Sequence, residues 1–61
     1  MPEPPSALVR KLERDYGDNL YRVCYTGDWR GYTVFEPLFY ETPKTGKLEA
    51  YLVRDGRYCT P

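Results

Sequence analysis

The segment YLVRDGRYC, residues 51–59, carries the strongest local signal in the chain. Its Asp55-Gly56 pair lies between two runs rich in β-branched and aromatic residues, and an Asp-Gly pair in that position favours a two-residue type I′ turn. The segment therefore predicts a β-hairpin whose strands cover residues 47–54 and 57–60.

Upstream of this hairpin, from Asn19 onward, residue types alternate with the period of a half-buried strand. Two further strands are predicted over residues 19–26 and 31–42, with a loop at 27–30 between them. A turn at Pro43-Lys44-Thr45-Gly46 leads into the third strand. Four strands joined by short connections indicate an antiparallel meander.

A helix is predicted ahead of the sheet. Leu8, Leu12 and Tyr16 recur every four residues, Ser6 is placed at the N-cap, and Gly17 is placed where a glycine ends a helix. So short a helix is marginal alone in water, so its apolar stripe must pack on the sheet. The predicted fold class is α+β, with one N-terminal helix packed on a three- to four-stranded antiparallel β-meander. A small SH3-like barrel is the alternative.

The length of the chain leaves room for one small core. A domain of 61 residues buries only about 60% of the surface that its unfolded chain exposes. Three prolines among the first five residues predict a disordered lead-in over residues 1–5, because proline lacks a backbone donor. Residues 6–61 are predicted to form a single small α+β domain.

The predicted register assigns side chains to the two faces of the sheet, because successive residues of a strand point in opposite directions. The predicted turns pair Thr26 with Gly31, Thr42 with Lys47, and Arg54 with Arg57. We expect the helix to cover the face formed by Leu20, Arg22, Cys24, Phe35, Pro37, Phe39, Leu48, Ala50, Leu52 and Cys59. The solvated face is predicted to carry Tyr21, Val23, Tyr25, Tyr32, Val34, Leu38, Tyr40, Tyr51, Val53 and Tyr58.

The composition removes most catalytic and metal sites. The chain has no histidine, so a Ser-His-Asp or Cys-His arrangement cannot form. Cys24 and Cys59 are too few for a structural zinc site. In an open sheet they would lie on opposite edge strands, about 14 Å apart at ~4.8 Å per strand, so we expect free thiols. No catalytic residue, metal or cofactor is predicted, and the chain is not expected to be an enzyme.

The charge balance bears on partners and location. The 9 Lys and Arg residues equal the 9 Asp and Glu residues in number, so no long-range field attracts duplex nucleic acid or an anionic membrane. No stretch approaches the ~20 apolar residues of a membrane span, and the start lacks the apolar core of a signal peptide. A soluble, cytoplasmic protein is expected.

Two groups of residues are candidates for binding. Tryptophan, tyrosine and arginine are enriched at binding hot spots, and the first group consists of Tyr21, Tyr25, Trp29, Arg30, Tyr32 and Tyr51. The alternative is that Trp29 folds back over the core. In the predicted register Phe35 shares a cross-strand row with a candidate anion site formed by Arg22, Arg54 and Arg57. The alternative there is that Asp15, Asp18 or Asp55 neutralises the arginines, or that the arginine side chains point apart into water.

These features favour a small non-catalytic interaction module. It is expected to bind a protein partner, or a second copy of itself, through the tyrosine-rich sheet face and the Trp29 loop. The alternative is single-stranded nucleic-acid binding, in which bases stack on tyrosines while Arg22, Arg54 and Arg57 hold phosphates. Zero net charge counts against that alternative, because phosphate neutralisation supplies much of the affinity.

Overall fold

A computed structural model describes residues 2–42 and 49–61. Its elements are helix α1 (Ser6–Tyr16), a 3₁₀ turn (Gly17–Asn19), and strands β1 (Leu20–Trp29), β2 (Tyr32–Phe39), β3 (Tyr51–Arg54) and β4 (Arg57–Cys59). The strands form one antiparallel sheet in the order β1-β2-β3-β4. The predicted α+β meander is confirmed, and the sheet is not closed into the alternative barrel. The turn predicted at 43–46 lies outside the described residues.

The ends of α1 lie at a proline, whose φ is fixed, and at a glycine, whose φ is free. Pro5, rather than the predicted Ser6, is the N-cap, and its carbonyl accepts bonds from the N–H groups of Leu8 (3.0 Å) and Val9 (3.2 Å). Ser6 is instead the first helical residue. Gly17 ends the helix as predicted, at φ +57°, a conformation that only glycine adopts at little cost.

The core lies between α1 and one face of the sheet. Leu8 and Leu12 of the helix are fully buried, and they cluster with Phe35 of β2 and Tyr51 of β3. Partly buried residues surround this cluster: Tyr16, Leu20, Val23, Tyr25, Val53 and Tyr58. Full burial of each large apolar side chain contributes about 1.5–3 kcal/mol, so these few contacts hold the helix on the sheet.

Two-residue turns connect both hairpins. Asp55 and Gly56 have φ values of +53° and +75°, which confirms the turn predicted there. Arg30 and Gly31, at +49° and +83°, form a second turn of the same kind, and β1 therefore continues through Trp29. The loop predicted at 27–30 is wrong, because the chain reverses closer to β2 than the sequence indicated.

The predicted register is wrong for two strand pairs, β1 with β2 and β2 with β3. Phe35 lies opposite Tyr25 and Tyr51, rather than Arg22 and Arg54. The loop between β1 and β2 is predicted too early in the sequence, so the predicted pairs of β1 are displaced. Bulges beside Tyr21 and Thr26 also change which residues of β1 face the helix. For β3 the shift is three residues, an odd number, which turns every side chain of the strand to the other face.

The two faces of the sheet therefore differ from those predicted. The helix-side face carries Leu20, Val23, Tyr25, Phe35, Pro37, Tyr51, Val53 and Tyr58. Phe35 and Pro37 lie on the predicted side, whereas Leu52 and Cys59 do not. The tyrosines are divided between the interior and the outside, so the solvated tyrosine face does not form.

A polar contact joins the helix to β3 beside the core. The Tyr51 hydroxyl donates a hydrogen bond to Oε2 of Glu49 at 2.6 Å, and the Tyr16 hydroxyl donates to the same oxygen at 3.2 Å. Lys11, which is paired with Asp15, lies 5.6 Å from the centre of the Tyr51 ring. Burial, and then the Glu49 carboxylate, raise the pKa of Tyr51 from its ordinary 10.0 to about 12.

This pKa predicts a loss of stability in alkaline solution. The folded chain holds the Tyr51 proton more tightly than the unfolded chain, so the stabilisation is complete below pH 10 and is lost as the pH rises towards 12. Two pKa units correspond to roughly 2–3 kcal/mol of unfolding free energy. The raised pKa of Lys11, due first to its hydrogen bond with Asp15, acts in the same direction.

Urea denaturation of the native chain and of Tyr51→Phe at several pH values between 9 and 11 measures this effect. We expect the native chain to lose stability more steeply with pH than the variant. Equal slopes for the two proteins would contradict the assignment to Tyr51.

Candidate binding surface

The sheet face opposite α1, here called the open face, contains Trp29 and Tyr32 of the six predicted binding residues. Val34 and Leu52 pair with each other and alternate with the buried Phe35 and Tyr51. The same alternation places the following residues on the open face: Arg22, Cys24, Trp29, Tyr32, Glu36, Leu38, Arg54, Arg57 and Cys59.

A shallow apolar depression, here called the Trp29 hollow, lies on the open face. It is lined by Trp29, Val34, Ala50, Leu52 and Pro61, and its volume is about 250 Å³. Small-molecule sites usually occupy about 300–1,000 Å³, so this hollow suits a single side chain better than a drug-sized ligand. Trp29 is 48% exposed. The alternative in which Trp29 folds back over the helix-side core is therefore not what the structure has.

Arg30 lies at the rim of this hollow in a conformation that arginine rarely adopts. Its φ of +49° is in the left-handed region, where asparagine or glycine is preferred. Its guanidinium carbon lies 4.9 Å from the centre of the Trp29 ring, which is within cation–π distance. The turn thus holds a planar cation against the exposed indole at some cost in backbone energy.

A second depression, here called the arginine groove, adjoins the first. It is lined by Tyr32, Leu52, Arg54, Asp55, Arg57, Tyr58 and Cys59. Because Leu52 lines both depressions, they form one continuous surface. Leu52 is only 7% exposed, although it lies on the face that the helix does not cover.

The structure separates the six predicted binding residues. Trp29, Arg30 and Tyr32 lie together at the tip of the β1–β2 hairpin. Tyr51 is 2% exposed, and Tyr25, which is partly buried, packs edge-on to Phe35 on the helix side of the sheet. Their placement on a solvated face is wrong, because both strands have the opposite phase.

Tyr21 remains exposed but lies elsewhere. It is 57% exposed and stacks edge-on against Tyr40, with ring centres 5.2 Å apart, at the opposite end of β1 from Trp29. A bulge beside Tyr21 displaces it from the regular alternation.

The predicted anion site is brought together only in part. Arg54 and Arg57 are direct cross-strand partners, as predicted. Arg22 instead lies opposite Leu38 on β1, and Phe35 is buried on the other face. The arginine row is therefore reduced to one pair.

Sequence analysis missed most of the apolar lining of the hollow. Val34, Ala50, Leu52 and Pro61 are not among the predicted binding residues, and the predicted register places Ala50 and Leu52 under the helix. The Arg30-Gly31 pair is the sequence signal that indicates part of this lining. Treated as a two-residue turn, this pair sets Trp29 opposite Tyr32 and places both rings beside Val34.

The described residues contain neither a metal site nor a membrane-spanning helix. Over 2–42 and 49–61, no three His, Cys, Asp or Glu side chains lie where they could hold a metal ion. No helix within those ranges is long and apolar enough to cross a membrane. Comparison with protein-family models, curated proteins and solved structures finds no match to this chain.

Arg30→Asn is predicted to stabilise the fold. Asparagine tolerates a positive φ better than arginine, and the loss of stacking on Trp29 offsets part of the gain, so we expect an increase of about 0.5 kcal/mol in unfolding free energy. Asp55→Asn is the matched control, because Asp55 has a similar φ in the other hairpin and is already a residue that favours it. Urea denaturation of both variants measures the difference; a destabilised Arg30→Asn would contradict this account.

The two cysteines are predicted to stay reduced and to differ in reactivity. Cys24 lies on β1 and Cys59 on β4, at opposite edges of the sheet. Cys59 is exposed and Cys24 is partly buried. Under native conditions iodoacetamide should label Cys59 faster, as followed by mass spectrometry with Cys24→Ser as the control. An intramolecular disulfide without reductant would contradict the open sheet.

Proposed function

We propose that this chain is a non-catalytic interaction module that binds a segment of a protein partner on the open face, with an apolar side chain of the partner in the Trp29 hollow. A cytoplasmic location belongs to the same proposal. The observation that carries it is the half-exposed tryptophan beside an uncovered apolar depression.

The chemistry of the hollow supports a protein ligand. Aromatic and arginine side chains around an apolar centre are the composition of binding hot spots. Trp29 and Arg30 are already stacked, so little side-chain freedom is lost when a partner binds. The size of the hollow matches one inserted side chain rather than a small molecule.

The conformation of Arg30 also supports this proposal. A residue held at positive φ where asparagine would be more stable indicates that something other than stability favours arginine there. A partner contact made by the guanidinium or by the indole that it stacks on is such a reason.

Single-stranded nucleic-acid binding receives less support. It requires several exposed tyrosines along one surface, whereas Tyr51 and Tyr25 lie on the helix side and Tyr21 lies at the far end of the sheet. Trp29 and Tyr32 remain as a short stacking platform.

The proposal is tested by selecting ligands and then removing the tryptophan. Peptides are selected from a displayed random library on the immobilised chain, and their affinities are measured in solution by calorimetry. We expect Trp29→Ala to weaken the selected peptides by at least about tenfold, because hot-spot truncations cost 2 kcal/mol or more. Tyr21→Ala is the matched control, an exposed aromatic outside the hollow, and should leave the affinity unchanged.

Three outcomes would overturn the proposal. The first is that the selected peptides bind Trp29→Ala as tightly as the native chain but no longer bind Tyr21→Ala. A Trp29-dependent dimer by light scattering would identify the occupant as a second copy of the chain. A salt-dependent change of Trp29 fluorescence with oligothymidylate, together with no selected peptide, would favour nucleic acid.

A further inference from the structure

The arginine groove contains two arginines at directly opposed positions of neighbouring strands. Arg54 and Arg57 are paired across the two-residue turn, and both side chains are exposed. Like charges at directly opposed positions destabilise a sheet. The hairpin therefore keeps an unfavourable pair on the open face.

None of the described carboxylates forms an ion pair with Arg54 or Arg57. Within residues 2–42 and 49–61, the ion pair between Lys11 and Asp15 is the one salt bridge that forms. Asp55, which lies between the two arginines in sequence and lines the groove, makes no ion pair with either of them. The alternative of neutralisation through an ion pair with Asp15, Asp18 or Asp55 is therefore not what the structure has, whereas both arginine side chains are exposed to water.

One of the two guanidinium groups is already held in place. The guanidinium carbon of Arg54 lies 5.6 Å from the centre of the Tyr32 ring, so the ring supports the cation from the neighbouring strand. The Arg54 side chain therefore loses less conformational entropy when a ligand binds, and this favours binding.

We infer that the arginine groove is an oxyanion site, in which Arg54 and Arg57 together bind a carboxylate or phosphoryl group. Guanidinium groups donate paired hydrogen bonds to such groups, and these charge-assisted bonds are about twice as strong as neutral ones. An anion between the arginines also converts their repulsion into two attractive contacts. Arg22 is not part of this site, because it lies elsewhere on the open face, opposite Leu38.

The proposed function identifies the source of the oxyanion, and this second step rests on it. The groove and the Trp29 hollow share Leu52. A partner segment that inserts an apolar side chain beside Trp29 therefore brings a neighbouring acidic or phosphorylated side chain to the arginines.

Inorganic phosphate is the first probe, and the full chain is titrated with it by amide nuclear magnetic resonance at constant ionic strength. We expect saturable shifts at Tyr32 and over residues 54–59, and about tenfold weaker binding in Arg57→Gln, as loss of a charged hydrogen bond predicts. Arg22→Gln is the matched control on the same face and should bind as the native chain does. Thermal unfolding is a second readout: phosphate should raise the midpoint of the native chain more than that of Arg57→Gln.

The inference fails if sodium chloride alone reproduces the shifts, or if Arg22→Gln weakens phosphate as much as Arg57→Gln does. A peptide selected on the Trp29 hollow tests the second step. Replacing its acidic residue by the amide should weaken binding to the native chain and leave binding to Arg57→Gln unchanged. Equal losses on both chains would overturn that step. Phosphate binding without any Trp29-dependent peptide removes the proposed function alone; Trp29-dependent peptides without phosphate binding remove the oxyanion site alone.

Discussion

The packing of Leu8 and Leu12 on Phe35 and Tyr51 is the contact on which the rest of the structure depends. These four side chains are the most deeply buried in the described residues. They determine which face of the sheet the helix covers, and hence which face remains open. Every feature of the candidate surface follows from this choice, because strand residues alternate between the two faces.

Tyr51 shows how a polar residue can occupy such a core. Its ring packs under the helix as an aliphatic side chain would, and its hydroxyl donates a hydrogen bond to the Glu49 carboxylate. Glu49 is exposed, so water still solvates its charge. A buried hydroxyl without a partner would be costly, whereas this one is satisfied. The same carboxylate accepts a bond from Tyr16 of the helix, so one acidic residue joins both layers.

A single helix covers one face of the four-stranded sheet and leaves the other face without a second layer. The chain compensates in part, since Leu52 is nearly buried between the two depressions of the open face. Leu38 is exposed at one end of this face, and at the other end the Trp29–Arg30 and Tyr32–Arg54 contacts stack cations on aromatic rings. Such a surface is ordered before any partner binds, and this is the physical basis for proposing recognition there.

The sequence by itself determined the elements and their order. Gly17 ended the helix, Asp55-Gly56 made the hairpin turn, and the wide spacing of Cys24 and Cys59 followed from a meander. These features are local, because a cap or a tight turn depends on the φ values of one or two residues. The sequence also singled out Trp29, Arg30, Arg54 and Arg57, since residue type alone identifies a possible anchor.

Only the tertiary structure decided which strand residues face the helix. Tyr51 and Leu52 are both large and apolar enough for a core, so neither composition nor alternation distinguishes the two phases. In β3 the choice follows from the packing of Tyr51 with Leu8, Leu12 and Phe35. In β1 it follows from the bulges near Tyr21 and Thr26. A shift of an odd number of residues in one connection reverses a whole strand, and that shift depends on contacts distant in sequence.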